Sequence, residues 1–306
     1  MNIPLAERIR PKTLQGYLSQ QHLVGETGAL TKQLQSGMIP SMLFWGPPGI
    51  GKTTLATIIA SESERPFYQL SAIDSGVAAV REIIEKAKKA DGLFTTKNPI
   101  LFIDEIHRFS KSQQDSLLNA VEKGVVTLIG ATTENPSFEV NSALLSRCQL
   151  FVLKSLEENE LIPLGMKALD SDAFLQSTAV AQVDFHAIYA FTGGDARRFL
   201  NTLESLCLVA KNEGNTQIDA AFVLEHAPKM APKYDRAGEQ HYDIISAFIK
   251  SIRGSDPNGA VYWLARMIEG GEDVKFIARR LLISASEDIG NANPTALILA
   301  NNTFQA

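Results

Sequence analysis

The chain has 306 residues, 45% of them hydrophobic and 21% charged, which suits a globular protein of two or three domains with a buried core. Its net charge of −5 argues against a protein that simply coats nucleic acid with positive charge, although a local basic face would still bind phosphates. No stretch approaches the ~20 apolar residues of a membrane span, the start "MNIPLAERIRPK" has no apolar signal core, and Cys148 and Cys207 lack metal-ligand or redox spacing, so a cytosolic protein with two reduced thiols is expected.

Through the first 156 residues short apolar runs alternate with helix-like segments. "SMLFW" (41–45) runs into a Gly-rich turn and the helical "GKTTLATIIASES". "FYQLSA" (67–72), "PILFIDE" (99–105), "VVTLIGATT" (125–133) and "QLFVL" (149–153) are further strands, with helices predicted over 77–90 and 111–124. Continuous apolar strands separated by helices predict an α/β core, a five-stranded parallel sheet covered on both faces. From residue 157 the spacing is helical and no further strand is expected. Residues 157–230 read as a helical lid, with "APKMAPKYDRAG" (227–238) as a linker. Residues 231–306 read as part of a second helical domain, with Ile244, Ile245, Phe248, Ile249 and Ile252 on one stripe. The ending "NPTALILANNTFQA" has no capping or tail character, and the helical domain is expected to continue past it.

Gly46-Pro47-Pro48-Gly49-Ile50-Gly51-Lys52-Thr53, between a strand and a helix, fits the phosphate-binding pattern G-x-x-x-x-G-K-[ST]. Glycines let the backbone N–H groups approach phosphate oxygens, and the helix that follows, with Thr54 beside Thr53, presents its N-terminus to the same anion. Lys52 is expected on the β and γ phosphates of ATP, and Thr53 on Mg²⁺. About fifty residues on, a strand ends in two acids. Asp104 is placed to steady the Mg²⁺ shell and Glu105 to polarise the attacking water; a solvated acidic strand end is the plain alternative.

The P-loop and "IDE" together resemble the AAA+ ATPases, and further motifs follow in the expected order. In "LIGATTEN", Thr133 matches the sensor-1 position. In "LLSRC", Arg147 matches the arginine finger of clamp-loader-like members, which acts on a neighbouring subunit's ATP. In "GGDARRFLNTLE", Arg197 matches sensor 2. "ERIRPKTLQGYLSQQHLVG" resembles the adenine-covering segment, with Leu23 and Val24 as contacts and Ser19 where relatives have Gly. Each has a plainer alternative: Arg147 as a charge at a helix end, Thr133 as a capping hydroxyl, Arg197 as a lid surface residue. His107, in "DEIHRF", is either a packed side chain or a relay of nucleotide state. His22 is expected to pack, and His186, His226 and His241 show no ligand spacing.

Three longer strings, "DEIHRFSKSQQDSLLNAVEKG", "IGATTENPSFEVNSALLSRC" and "YDRAGEQHYDIISAFIKSIRGSDPNGAVYWLARMIEGGED", closely resemble the replication-associated recombination protein A family, whose eukaryotic counterpart is the Werner-helicase-interacting ATPase. The resemblance implies a DNA-stimulated ATPase acting at stalled forks, single-stranded gaps and duplex ends. It also implies a tetramer when full length, a nearby single-stranded-DNA-binding protein, and a cytoplasmic, nucleoid-associated location without membrane contact.

Four alternatives stay open on the residues. A RuvB-like motor would carry a winged helix after the lid, and a clamp-loader subunit a helical collar. A protein unfoldase would carry an aromatic pore loop, which "SAIDSGVAAV" (71–80) lacks; an ATP-gated switch would need no catalytic glutamate. Candidate DNA-contacting groups are Arg108, Lys111, Arg279 and Arg280.

Overall fold

A computed structural model describes residues 3–17, 19–72, 77–90, 98–227 and 239–305. They form two compact units, divided at Pro228.

The first unit is built on strands β1 (Met42–Trp45), β2 (Phe67–Ser71), β3 (Ile100–Asp104), β4 (Thr127–Thr132) and β5 (Gln149–Val152). They pair in parallel in the order β2-β3-β4-β1-β5. All five expected strands are present, trimmed by a residue or two. Successive side chains point to opposite faces, so β1 to β4 feed two apolar layers, whereas β5 buries only Phe151 and leaves Leu150 and Val152 exposed. Met42, Phe44, Ile100 and Phe102 face one layer, and Leu43, Leu101 and Ile103 face the other. The second layer is closed by Val80, Ile84 and Leu117 from the helices Val77–Ala90 and Lys111–Glu122. A parallel register brings the ends of β1, β3 and β4 to one edge, with Trp45 beside Thr132 and Asp104 beside Ser71. In open α/β sheets that carboxyl edge is where ligands bind.

Beyond Leu156 the chain is helical, with the helices Glu158–Ser171, Phe185–Thr192, Ala196–Glu213 and Ala220–His226. One expectation needs correcting here: Gln182–Val183 and Gln217–Ile218 pair as two short parallel strands, β6 and β7. Two residues are too few to show an alternating pattern, and buried Ile218 with half-buried Val183 supplies their only apolar content. The lid has no separate core. Leu161, Ile188, Phe199, Leu203 and Cys207 join the layer that contains Phe44 and Leu55. Each such large side chain contributes roughly 1.5–3 kcal/mol by leaving water, so packing holds the lid to the sheet. The Cys207 thiol is buried, and burial pushes it up to about 12; Cys148, half-buried, is likewise pushed up to about 12.

The second unit packs the helices Glu239–Arg253, Pro257–Glu269, Val274–Ser284 and Pro294–Gln305. Its core is Ile245, Phe248, Met267 and Ile277, with Ile244, Ile249 and Ile252 against it, as the stripe predicts. Asp256 caps the second helix by accepting from the Gly259 N–H (3.0 Å), and Pro257 occupies its first position. Arg279 is exposed and Arg280 half-buried. Residues 228–238 of the expected linker and 73–76 of the pore-loop region lie outside the described residues. Among the described residues no helix is long and apolar enough to cross a membrane.

Candidate functional site

At the carboxyl edge of β1 and β3 lies a cavity of about 340 Å³, within the range of small-molecule sites. Its walls include the loop and helix start Pro48–Thr54, Asp104 and Glu105 from the end of β3, residues between Pro4 and Tyr17 and Ser19 of the N-terminal segment, and Arg197 from the lid.

Glycine is required at Gly49 and Gly51, within this wall. Gly49 has φ +73° and its Cα faces the Asp195 carboxylate so closely that a Cβ would stand 1.7 Å from Oδ1. Gly51 has φ +92° and abuts the Tyr17 ring. Both lie where L side chains are strained. The loop turns back at Gly51 and the helix Lys52–Glu62 starts at once, so its unpaired N–H groups point toward the anion position.

Lys52 is buried, and its Nζ donates to Gly46 O (2.7 Å) and Pro47 O (2.8 Å). Burial lowers its pKa to about 8, against the opposing pull of Glu105 and Asp104, while Arg197 lowers it further. An ammonium held at this reduced affinity for its proton gains charge stabilisation when an anion arrives. The Thr53 hydroxyl donates to Asp104 Oδ2 (3.3 Å). Two hard oxygen donors at the phosphate end fit a small dication, the donor chemistry Mg²⁺ takes.

Glu105 sits in the left-handed region (φ 52°, ψ 50°), a conformation that costs a non-glycine residue roughly 1–2 kcal/mol. The kink turns the chain out of the strand direction at Glu105. Its Oε2 accepts from the Thr133 hydroxyl (3.2 Å), which puts the residue read as sensor 1 in contact with the strand-end acid.

Arg197 lines the same cavity. Its helix docks on the loop because Ala196 N–H donates to Gly49 O (3.1 Å) and Asp195 caps the helix by accepting from Arg198 N–H (2.9 Å). Arg147 does not reach this cavity. It is exposed, donates to Ala143 O (2.6 Å) and Ser146 Oγ (3.1 Å), and pairs with Glu122. Leu23 and Val24 do not line the cavity either: Leu23 is buried in the core and Val24 packs against it. The apolar wall comes from Ile9, Pro11, Leu156, Leu164 and Leu200 instead. Ser19 lines it, and His22 meets Val152 O (3.1 Å). Arg108 and Lys111 are exposed.

Several residues here carry no motif. The buried Tyr17 hydroxyl donates to Ile50 O (3.2 Å), and burial raises its pKa. Gln20 clamps the N-terminal segment to Lys154 through both amide atoms, donating to its O (2.7 Å) and accepting from its N–H (2.8 Å). Arg8 ties the same segment to the lid: Nε and Nη2 donate to Asp172 (2.7 and 2.9 Å) and Nη1 to Glu204 (2.7 Å). The hydrogen bond from Arg8 holds the Asp172 carboxyl below the usual range. Buried Gln114 donates to Phe109 O (3.0 Å) and Glu139 O (3.1 Å) and accepts from Asn141 N–H (2.7 Å), which fixes the turn that leads to Arg147. Asp195 alone had a local signal, a capping residue before an apolar helix.

A phosphate loop, a strand-end acid pair and a helical lid closing over one parallel sheet define the AAA+ class of P-loop ATPases. In agreement, residues 42–156 match the ATPase family associated with various cellular activities, 176–253 the AAA C-terminal domain, and 254–306 the MgsA AAA+ ATPase C-terminal region. Among solved structures, the Thermotoga maritima RuvB Holliday junction branch migration motor is similar, with a TM-score of 0.59 and 25% identity over 80% of each chain.

The replication-associated recombination protein A of Haemophilus influenzae is 44% identical over 97% of this chain and 67% of its own length. That of Coxiella burnetii is 44% identical over 99% of this chain and 69% of its own. The Dictyostelium discoideum ATPase WRNIP1 is 39% identical over 99% of this chain and 36% of its own. The chain belongs to the replication-associated recombination protein A family of AAA+ ATPases.

Proposed function

We propose that this ATPase works on DNA in replication-associated recombination and repair, at stalled forks, single-stranded gaps and duplex ends, and that DNA stimulates its turnover. A single-stranded-DNA-binding protein is the partner expected beside it. ATP is hydrolysed at sites shared between subunits of a homo-oligomer, a tetramer for the full-length protein. We assign residues 1–156 to the ATPase core, 157–230 to the lid and 231–306 to the oligomerisation segment.

The observation that carries the shared-site reading is the division of the charged groups. Lys52, Thr53, Asp104, Glu105 and Arg197 line one cavity, whereas Arg147 is exposed outside it. In the reaction, Lys52 exchanges a loop carbonyl for phosphate oxygens and Glu105 takes a proton from the attacking water. Thr133 senses the γ phosphate with the hydroxyl that otherwise holds Glu105, and Arg197 brings the lid onto the phosphates. Thr53 and Asp104 would hold Mg²⁺, which supplies charge neutralisation at the phosphates when bound. Arg147 from the next subunit stabilises charge on the transferring phosphoryl group. The DNA part of the reading is supported by the names of the relatives and by exposed Arg108 and Lys111.

The test is ATP turnover with forked, gapped, single-stranded and no DNA. The expected outcome is a several-fold rise with at least one DNA form, diminishing as salt increases because phosphate contacts release counterions. Turnover indifferent to all DNA forms would remove DNA from the account.

A further inference from the structure

The turn after β3 brings His107 back beneath Glu105. Ile106–Arg108 is a single tight helical turn, and the His107 side chain is only 6% exposed. Both ring nitrogens face oxygen. Nδ1 stands 3.0 Å from Thr132 Oγ1 and 3.3 Å from Glu105 Oε2, and Nε2 stands 3.2 Å from Glu134 Oε1.

The Thr132 hydroxyl also has two contacts with Glu134. It donates its one hydrogen to Glu134 O (3.2 Å) and accepts from Glu134 N–H (3.0 Å). With that hydrogen on Glu134 O it meets His107 as an acceptor, the arrangement in which an Nδ1–H serves both Thr132 and Glu105. Both nitrogens face acceptors, so with a proton on each the ring donates to Thr132 on β4 and Glu105 from Nδ1 and to Glu134, just after β4, from Nε2, and is pinned on three sides.

Glu105 needs such a mount. Its backbone is in the left-handed region, and among the described residues the Thr133 hydroxyl is the other side chain that hydrogen-bonds its carboxylate. Thr133 is also the residue read as the γ-phosphate sensor. Once a phosphate claims that hydroxyl, the contact left at Oε2 is His107.

We propose that His107 is a positioning residue for ATP hydrolysis: braced by Glu134 and Thr132, it holds the Glu105 carboxylate in place after Thr133 turns to the nucleotide. The proposal rests on reading Glu105 as the general base. It gives His107 no contact with ATP, so the residue acts on turnover and not on affinity. It also makes Glu134 act through His107, since the described contact of its carboxylate at this site is the imidazole.

The test uses H107L, H107N, E134Q, the double variant H107L/E134Q and, in parallel, E105Q. ATP affinity is measured by equilibrium binding and turnover at saturating ATP. A misplaced base costs on the order of tenfold to hundredfold in rate, so H107L should lose that much in kcat with ATP affinity changed less than about threefold. H107N, which keeps one donor, should recover part of the loss. E134Q should lower kcat in the parent and leave it unchanged in the H107L background.

Parent-like kcat in H107L would overturn the proposal, and so would equal E134Q losses in both backgrounds. Retained ATP affinity separates a displaced base from a misfolded chain. If H107L binds no ATP, the same comparison is made with H107N, where an affinity loss as large as the kcat loss overturns it. E105Q tests the underlying reading alone: full turnover there means that Glu105 is not the base, whatever His107 does.

Discussion

The phosphate wall of the cavity, Pro48 to Thr54, comes from one unbroken stretch of chain, whereas the remaining wall is drawn from residues 4–17, 19, 104–105, 156–164 and 196–201. The first is held by local geometry: positive φ at Gly49 and Gly51, and a helix that starts at Lys52. The second is held by packing into the shared core and by polar ties across the fold, such as Arg8 to Asp172 and Gln20 to Lys154. A contiguous wall takes its turn from its own residues, with Tyr17 and Ala196 tied to it from outside. An assembled wall depends on residues that never touch the ligand.

The sharpest way to probe the contiguous wall is proton linkage at Lys52. Its pKa of about 8 in the free protein means that it is charged below pH 8 and loses its proton above. ATP binding requires the charged form, so binding takes up a proton above pH 8. ATP affinity should be nearly flat in pH below 8 and then fall by about tenfold per pH unit. Direct binding titrations between pH 7 and 9.5 check this, and a flat profile across that range would place the Lys52 proton elsewhere.

The assembled wall should respond more gently. Arg8→Met removes the tie between the N-terminal segment and the lid but leaves the phosphate wall untouched. Arg8 is about a quarter exposed, so the pair contributes about 1 kcal/mol after solvent screening. ATP affinity should fall by about fivefold, with kcat at saturating ATP little changed. A loss as large as that caused by removing Lys52 would mean that the two walls are not independent.

The same contrast explains what could be read from the chain alone. The five strands were legible because each is a short apolar run between helical segments, and the P-loop and Asp104–Glu105 because their spacing is local. The strands β6 and β7 were not, since two residues cannot display a period. Nor was the apolar wall of the cavity: Leu23 and Val24 were expected there, and the structure puts Ile9, Pro11, Leu164 and Leu200 there. Leu164 and Leu200 look like any helical core positions and Ile9 and Pro11 like any loop residues, and only the folded chain brings them to one cavity. Arg8, Tyr17 and Gln114 were silent for the same reason, because each finds its partners across long sequence distances. His107 was conspicuous by its place after the acids, but its role depends on Thr132 and Glu134, more than twenty residues on.

The most direct test of the account is complementation between two variants. On the proposed reading, Glu105→Gln leaves a site without its base, and Arg147→Ala leaves a subunit unable to complete its neighbour's site. Each alone should lose on the order of 100-fold or more in turnover. Mixed in equal amounts and allowed to exchange subunits, they form some interfaces in which an intact Glu105 meets an intact Arg147. About a quarter of the parent turnover should return, the random share of such interfaces in a head-to-tail ring. Mixtures that stay as inactive as the separate variants, under conditions where subunits demonstrably exchange, would contradict a site shared between subunits.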